Sequence, residues 1–123
     1  MHHIDEEKEA KRYFHHEKLD AYRVVREATR FIAVRRAKLR GLPGQAGPQL
    51  ERAIVGAQTN LCAAAAQEGA EKRRQFRIAL SEASEAGGAI DIAFDFGALS
   101  EEERRCIRSL LLRLCAMLNG LAK

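Results

Sequence analysis

Three arginines stand where they can hold phosphate. Arg23, Arg26 and Arg30 fall at i, i+3 and i+7, so on a helix they share one face. Arg35, Arg36, Lys38 and Arg40 follow and crowd the last turns of that predicted helix, where the macrodipole favours cations. Such a row can track a nucleic-acid backbone without reading its sequence. Only Asp20 and Glu27 oppose it locally. The same residues also fit a plainer reading, a solvated face tied by salt bridges to Glu51 or Glu82 of neighbouring helices. No aromatic residues interleave with the arginines, so stacking of single-stranded bases is not expected from the spacing.

The other reactive side chains do not assemble into a site on paper. The three cysteines, Cys62, Cys106 and Cys115, are odd in number and none are in C-x-x-C spacing, which points to reduced, packed thiols. A thiol enzyme needs a histidine beside its cysteine, and all four histidines fall in the first sixteen residues. His2 and His3, like His15 and His16, are adjacent and point to different sides of a helix, with no third ligand at a recognisable spacing. No Glu-x-x-His occurs in the predicted helices, so a carboxylate-bridged metal pair is not expected. Asn60 flanks a buried helix face and is expected to hydrogen-bond across helices and fix register. The expectation is therefore a protein that is not an enzyme and has no cofactor.

Composition and patterning say what must position the arginines. The chain has 123 residues, enough for one domain. Hydrophobic residues make up 46% but aromatics only 6%, with no Trp, which favours an aliphatic helical core. The net charge is +4, from 21 Lys and Arg against 17 Asp and Glu. That excess permits a nucleic-acid partner without requiring one. No apolar run is long enough to span a membrane, and the polar start does not read as a signal peptide. A cytoplasmic protein is expected.

Residues 1–15 read as a charged lead-in and residues 16–123 as an all-α domain of four helices. The first predicted helix covers 16–40, with Ala21, Val24, Val25, Ala28, Phe31, Ile32 and Leu39 buried. Residues 41–48, G-L-P-G-Q-A-G-P, break it. The second, 48–68, and third, 71–96, form an antiparallel hairpin turning near Gly69. Its seam is rich in alanine: Leu50, Ala53, Ile54, Ala57, Leu61 and Ala64 against Phe76, Ala79, Leu80, Ala83, Ala86, Ile90 and Phe94. Gly87 and Gly88 lie inside the third helix at a cost of about 1 kcal/mol each, which close backbone approach or a mild kink would explain. Gly97 ends it. Ser100 and Glu103 then form a capping box for a fourth helix running to about residue 121.

The third helix offers a second stripe. Ile78, Ala89, Ile92 and Phe96 lie away from its core face, and Tyr22 and Val34 sit outside the main stripe of the first helix. Apolar area of that kind is expected to meet another subunit.

At residues 49–79 the chain resembles the small proteins encoded in intervening sequences of bacterial 23S rRNA genes. Gln49, Leu50, Arg52, Ala53, Asn60 and Leu61 match the first motif of that family in register, and Phe76, Ile78, Ala79 and Glu85 match the second. Leu19, Ala21 and Tyr22 fit its start. The family's Glu-Gly after the Asn is Ala63-Ala64 here, and its Gly-Ser is Ser81-Glu82. The resemblance implies an up-down four-helix bundle, a single domain, assembling as a homo-oligomer, typically a pentameric ring. It also implies RNA or DNA as a partner through the basic face. A protein–protein adaptor with no nucleic-acid ligand is the competing expectation.

Overall fold

The computed structural model describes residues 13–123. The expectations for residues 1–12, including His2, His3 and most of the charged lead-in, lie outside the described residues. Among the described residues all regular structure is helical. A 3-10 turn at His15–Lys18 precedes α1 (Asp20–Val34), α2 (Arg36–Leu39), α3 (Ala46–Ala65), α4 (Gly69–Asp95) and α5 (Glu101–Leu121).

Two helix ends show how short-range chemistry sets the boundaries. Ser100 Oγ accepts from the Glu103 amide at 3.1 Å, and the Glu103 carboxylate accepts from the Ser100 amide at 2.9 Å, the reciprocal box expected from the sequence. At the end of α4, Gly97 takes φ +80°, a left-handed angle that glycine adopts without penalty. Its amide donates to Phe94, and the Ala98 amide donates to Ala93 at 2.8 Å, so the last carbonyls of α4 are satisfied in a Schellman arrangement.

Other boundaries differ from expectation. The single helix predicted over 16–40 is interrupted. Leu19 is extended ahead of α1, and Arg35 (φ −100°, ψ 9°) separates α1 from α2. The break coincides with a tertiary contact: the Arg35 side chain lies back over Phe31 of α1 and donates through Nε to Glu103 on α5. The turn between α3 and α4 falls at residues 66–68, just before Gly69, which itself has φ +59°. α3 begins at Ala46 rather than Pro48, and Pro48 sits in the first turn, where its missing N–H leaves no bond unmade. Gly47 beside it is required: a Cβ there would lie 2.3 Å from the Leu39 carbonyl oxygen. No such approach exists at Gly87 or Gly88, where a Cβ would meet nothing within 4 Å, so of the two explanations offered by the sequence close backbone approach does not apply.

The helices pack in a closed circuit: α3 against α4, α4 against α5, α5 against α1 and α1 against α3. Thr29 of α1 meets Gln58, and Arg36, two residues past the end of α1, meets Glu51, so the chain through α1 runs antiparallel to α3. Ser84 meets Cys115 and Phe94 meets Arg104, so α4 and α5 do too. The most extensive packing, α3 with α4, is the alanine seam. Ala53, Ala57 and Ala64 on one side and Ala79, Ala83, Ala86 and Ala93 on the other are almost fully buried. Small side chains let the backbones approach closely, and larger ones fill the centre: Leu50, Ile54, Leu61, Phe76, Ile90, Ile107, Leu114 and Leu118.

The inward face of α4 is turned slightly from its expected position. Ala93 and Ala89 are buried, whereas Phe94 and Leu80, expected in the core, are half-buried. Phe94 instead carries the Arg104 guanidinium 5.2 Å from its ring centre. Phe31 is half-buried in the same way, with Arg35 3.5 Å over its ring. No helix among the described residues is long and apolar enough to cross a membrane.

Candidate nucleic-acid interface

Six of the seven basic residues singled out by spacing fall into two groups. Arg23, Arg26 and Arg30 lie on the exposed face of α1, opposite Val24, Val25 and Ala28 in the core. Together with Glu17, Tyr22 and Glu27 they line an open hollow of about 500 Å³. Arg23 pairs with Asp20 one turn earlier, with both side chains mostly exposed. Arg26 and Arg30 make no ion pair among the described residues. Arg26 lies 5.9 Å from the centre of the Tyr22 ring. Exposed arginines held about one turn apart on a helix offer several donors each to an anion.

Arg35, Arg36 and Lys38 are tied to other helices. Arg35 donates to Glu103 through Nε and, through Nη1, back to the Phe31 carbonyl at 3.1 Å. Lys38 Nζ reaches the same carboxylate at 2.9 Å. With the Ser100 amide added, Glu103 collects donors from three places, and these hold its carboxyl at about 2, well below the usual range. The Ser100 backbone bond is the largest cause, followed by Lys38 and Arg35. Arg36 pairs with Glu51 on α3 at 2.5 Å, the partner expected on the plainer reading. Glu82, the other expected partner, packs its carboxylate against Gly56 of α3, where an added Cβ would sit 3.0 Å from it. Arg40 stands exposed after α2. The row is therefore an open triplet on α1 followed by a group whose charge is spent on packing α2 against α3 and α5.

No protein-family model matches this sequence, and no curated protein matches it.

The second apolar stripe of α4 is shorter than expected. Ile92 is 40% and Phe96 65% exposed, but Ile78 is half-buried and Ala89 is in the core. Ala89, 9% exposed, is therefore not available to meet another subunit. Phe96 lines a hollow of about 570 Å³ with Leu42, Pro43 and Lys38. On α1, Val34 is 81% exposed beside the break at Arg35, and Tyr22 is half-buried under Arg26.

Asn60 does not bridge helices. Its amide donates to the Gly56 carbonyl one turn back in α3 at 2.8 Å. The cross-helix bond is made elsewhere: the Thr29 hydroxyl donates to Gln58 at 2.7 Å, joining α1 to α3. Of the thiols, Cys106 is exposed, while Cys62 and Cys115 are half-buried. Burial pushes the Cys62 thiol up.

The sequence reading also missed an aromatic cluster. Phe14 stacks on His16, and His16 packs on Tyr22, beside Arg26. Residues 13–19 carry no helical period, so nothing in their spacing showed that the 3-10 turn folds these rings back onto α1.

Proposed function

We propose that this chain is a non-enzymatic, self-associating four-helix bundle of up-down topology whose α1 face binds the phosphates of RNA or DNA. The observation that carries the reading is the open triplet. Arg23, Arg26 and Arg30 share one exposed helix face, and nothing in the packing of the core calls for them there. The antiparallel circuit of four long helices supports the bundle topology, and so does the resemblance at 49–79. Phosphate contacts from helix-borne arginines are independent of sequence, so the expected binding is general and salt-sensitive. Replacing all three arginines with Gln tests it. Helicity is retained, and retention on RNA or DNA at low salt is lost. Unchanged retention would reject the reading.

A protein-adaptor reading rests on a different observation, the exposed Ile92 and Phe96 at the end of α4. Large apolar side chains at adjacent turns gain on the order of 1.5–3 kcal/mol each when covered. On the adaptor reading a different protein covers them and no nucleic acid is bound; on the self-associating reading a second copy of the chain does, head to tail, closing into a ring.

A further inference from the structure

The aromatic cluster leads directly onto the arginine face. The Phe14 and His16 rings lie 5.4 Å apart and are parallel to within 7°. His16 and Tyr22 are 4.5 Å apart at 58°. Tyr22 shares the hollow of Arg23, Arg26 and Arg30 and sits beneath the Arg26 guanidinium. Next to the stack, Lys18 Nζ lies 4.7 Å over the ring of Tyr13. Phe14 is 70% exposed and Tyr13 56% exposed. These rings therefore contribute little to the core, which runs from Ala21 onward.

We infer that this stack is a platform for unpaired bases, so that the α1 face takes single-stranded rather than duplex nucleic acid. The inference rests on the phosphate reading of Arg23, Arg26 and Arg30. Every base has a flat π face, so stacking on an aromatic side chain strengthens binding whatever the base. A single strand presents phosphates and free base faces together. A duplex presents phosphates only, because its bases are already stacked on one another. The open face of Phe14 lets one base continue the Phe14–His16 stack, while the neighbouring phosphates reach Arg23 and Arg26. The acids in the region act in the same direction. Glu17 and Glu27 line the hollow and Asp20 pairs with Arg23, so the positive potential is broken into points. A flexible strand can place its phosphates at those points, whereas the fixed phosphate spacing of a duplex brings some of its charges against the carboxylates.

The chain supplies its own reporter. It has two tyrosines and no Trp, and Tyr13 and Tyr22 both belong to this cluster. Intrinsic tyrosine emission of the intact protein therefore reads the site alone. Titration with an oligothymidylate strand is expected to quench that emission and to show at least tenfold tighter binding than a duplex of equal length at the same salt. Phe14→Ala is expected to weaken strand binding by about tenfold and to leave duplex binding unchanged. The Arg23, Arg26 and Arg30 to Gln variant is expected to weaken both. Phe14 is exposed, and unchanged circular dichroism of the variant excludes a folding defect. Equal affinity for strand and duplex, or strand binding unaffected by Phe14→Ala while the arginine variant weakens it, overturns the stacking inference and leaves the phosphate reading standing. A wild type that binds neither probe overturns both.

Discussion

Arg35 donates to Glu103 across 68 residues of chain, from the break between α1 and α2 to the first turn of α5. The same carboxylate accepts from Lys38 and from the Ser100 amide. One side chain therefore caps α5, fixes the direction of α2 and ends the open arginine row. These bonds commit Arg35 and Lys38 to the fold, whereas Arg23 pairs only with Asp20 one turn back and Arg26 and Arg30 make no ion pair among the described residues.

Glu103→Gln is expected to destabilise the protein by about 1–2 kcal/mol, since it weakens a capping box and two charge-assisted bonds at once. The effect depends on pH. In the folded protein the carboxyl is held at about 2, against an ordinary value of 4.5. Its contribution is therefore complete above the ordinary value and is lost as pH falls toward 2. Urea unfolding should show the wild type losing its advantage over the variant between pH 5 and about pH 2. A constant difference across that range would show that the charge on Glu103 contributes nothing.

Two glycines in helices should respond oppositely to the same change. Gly47→Ala forces a methyl against the Leu39 carbonyl and is expected to cost about 1–3 kcal/mol. Gly87→Ala enters open space and is expected to add up to about 1 kcal/mol. Thermal unfolding of the two variants gives the comparison, and a stabilised Gly47→Ala would contradict the packing of α3 on α2.

Thiol labelling should follow burial. Cys106 is expected to react first, with Cys62 slower because burial keeps its thiolate scarce. Mass spectrometry of the labelled protein over time resolves the order, and faster modification of Cys62 than of Cys106 would contradict it.

Self-association should depend on α4. Ile92→Glu combined with Phe96→Glu is expected to shift sedimentation toward the monomer at micromolar concentration without loss of helicity. A wild type that is already monomeric there would remove the oligomer from the account. A double variant that assembles like the wild type would place the contact on another surface.

How much of this was legible in the sequence depended on how local each cause was. Ser100 and Glu103 sit three residues apart, so their box was readable at once. The aliphatic stripes of α3 and α5 were readable because burial follows the helical period. Phe94 was misplaced because the seam of α4 follows Ala86, Ile90 and Ala93, which small residues mark only faintly. Arg35 fits a continuous helix by its local sequence, and its partner Glu103 is distant in the chain. The same limit hid Thr29 and Gln58. The arginine triplet was visible from spacing, but its separation from Arg36 and Lys38 required the positions of Glu51 and Glu103.

The claim that α1 is a phosphate-binding face is tested most directly by the salt dependence of binding to single-stranded nucleic acid, measured for the wild type and for the Arg23, Arg26 and Arg30 to Gln variant. Each phosphate neutralised on a single strand contributes a slope of about −0.7 in log K against log salt, so three arginines contribute roughly −2. The account predicts that the variant binds more weakly at low salt and that its slope is shallower by about that amount. Equal affinity and equal slope in the two proteins would contradict it.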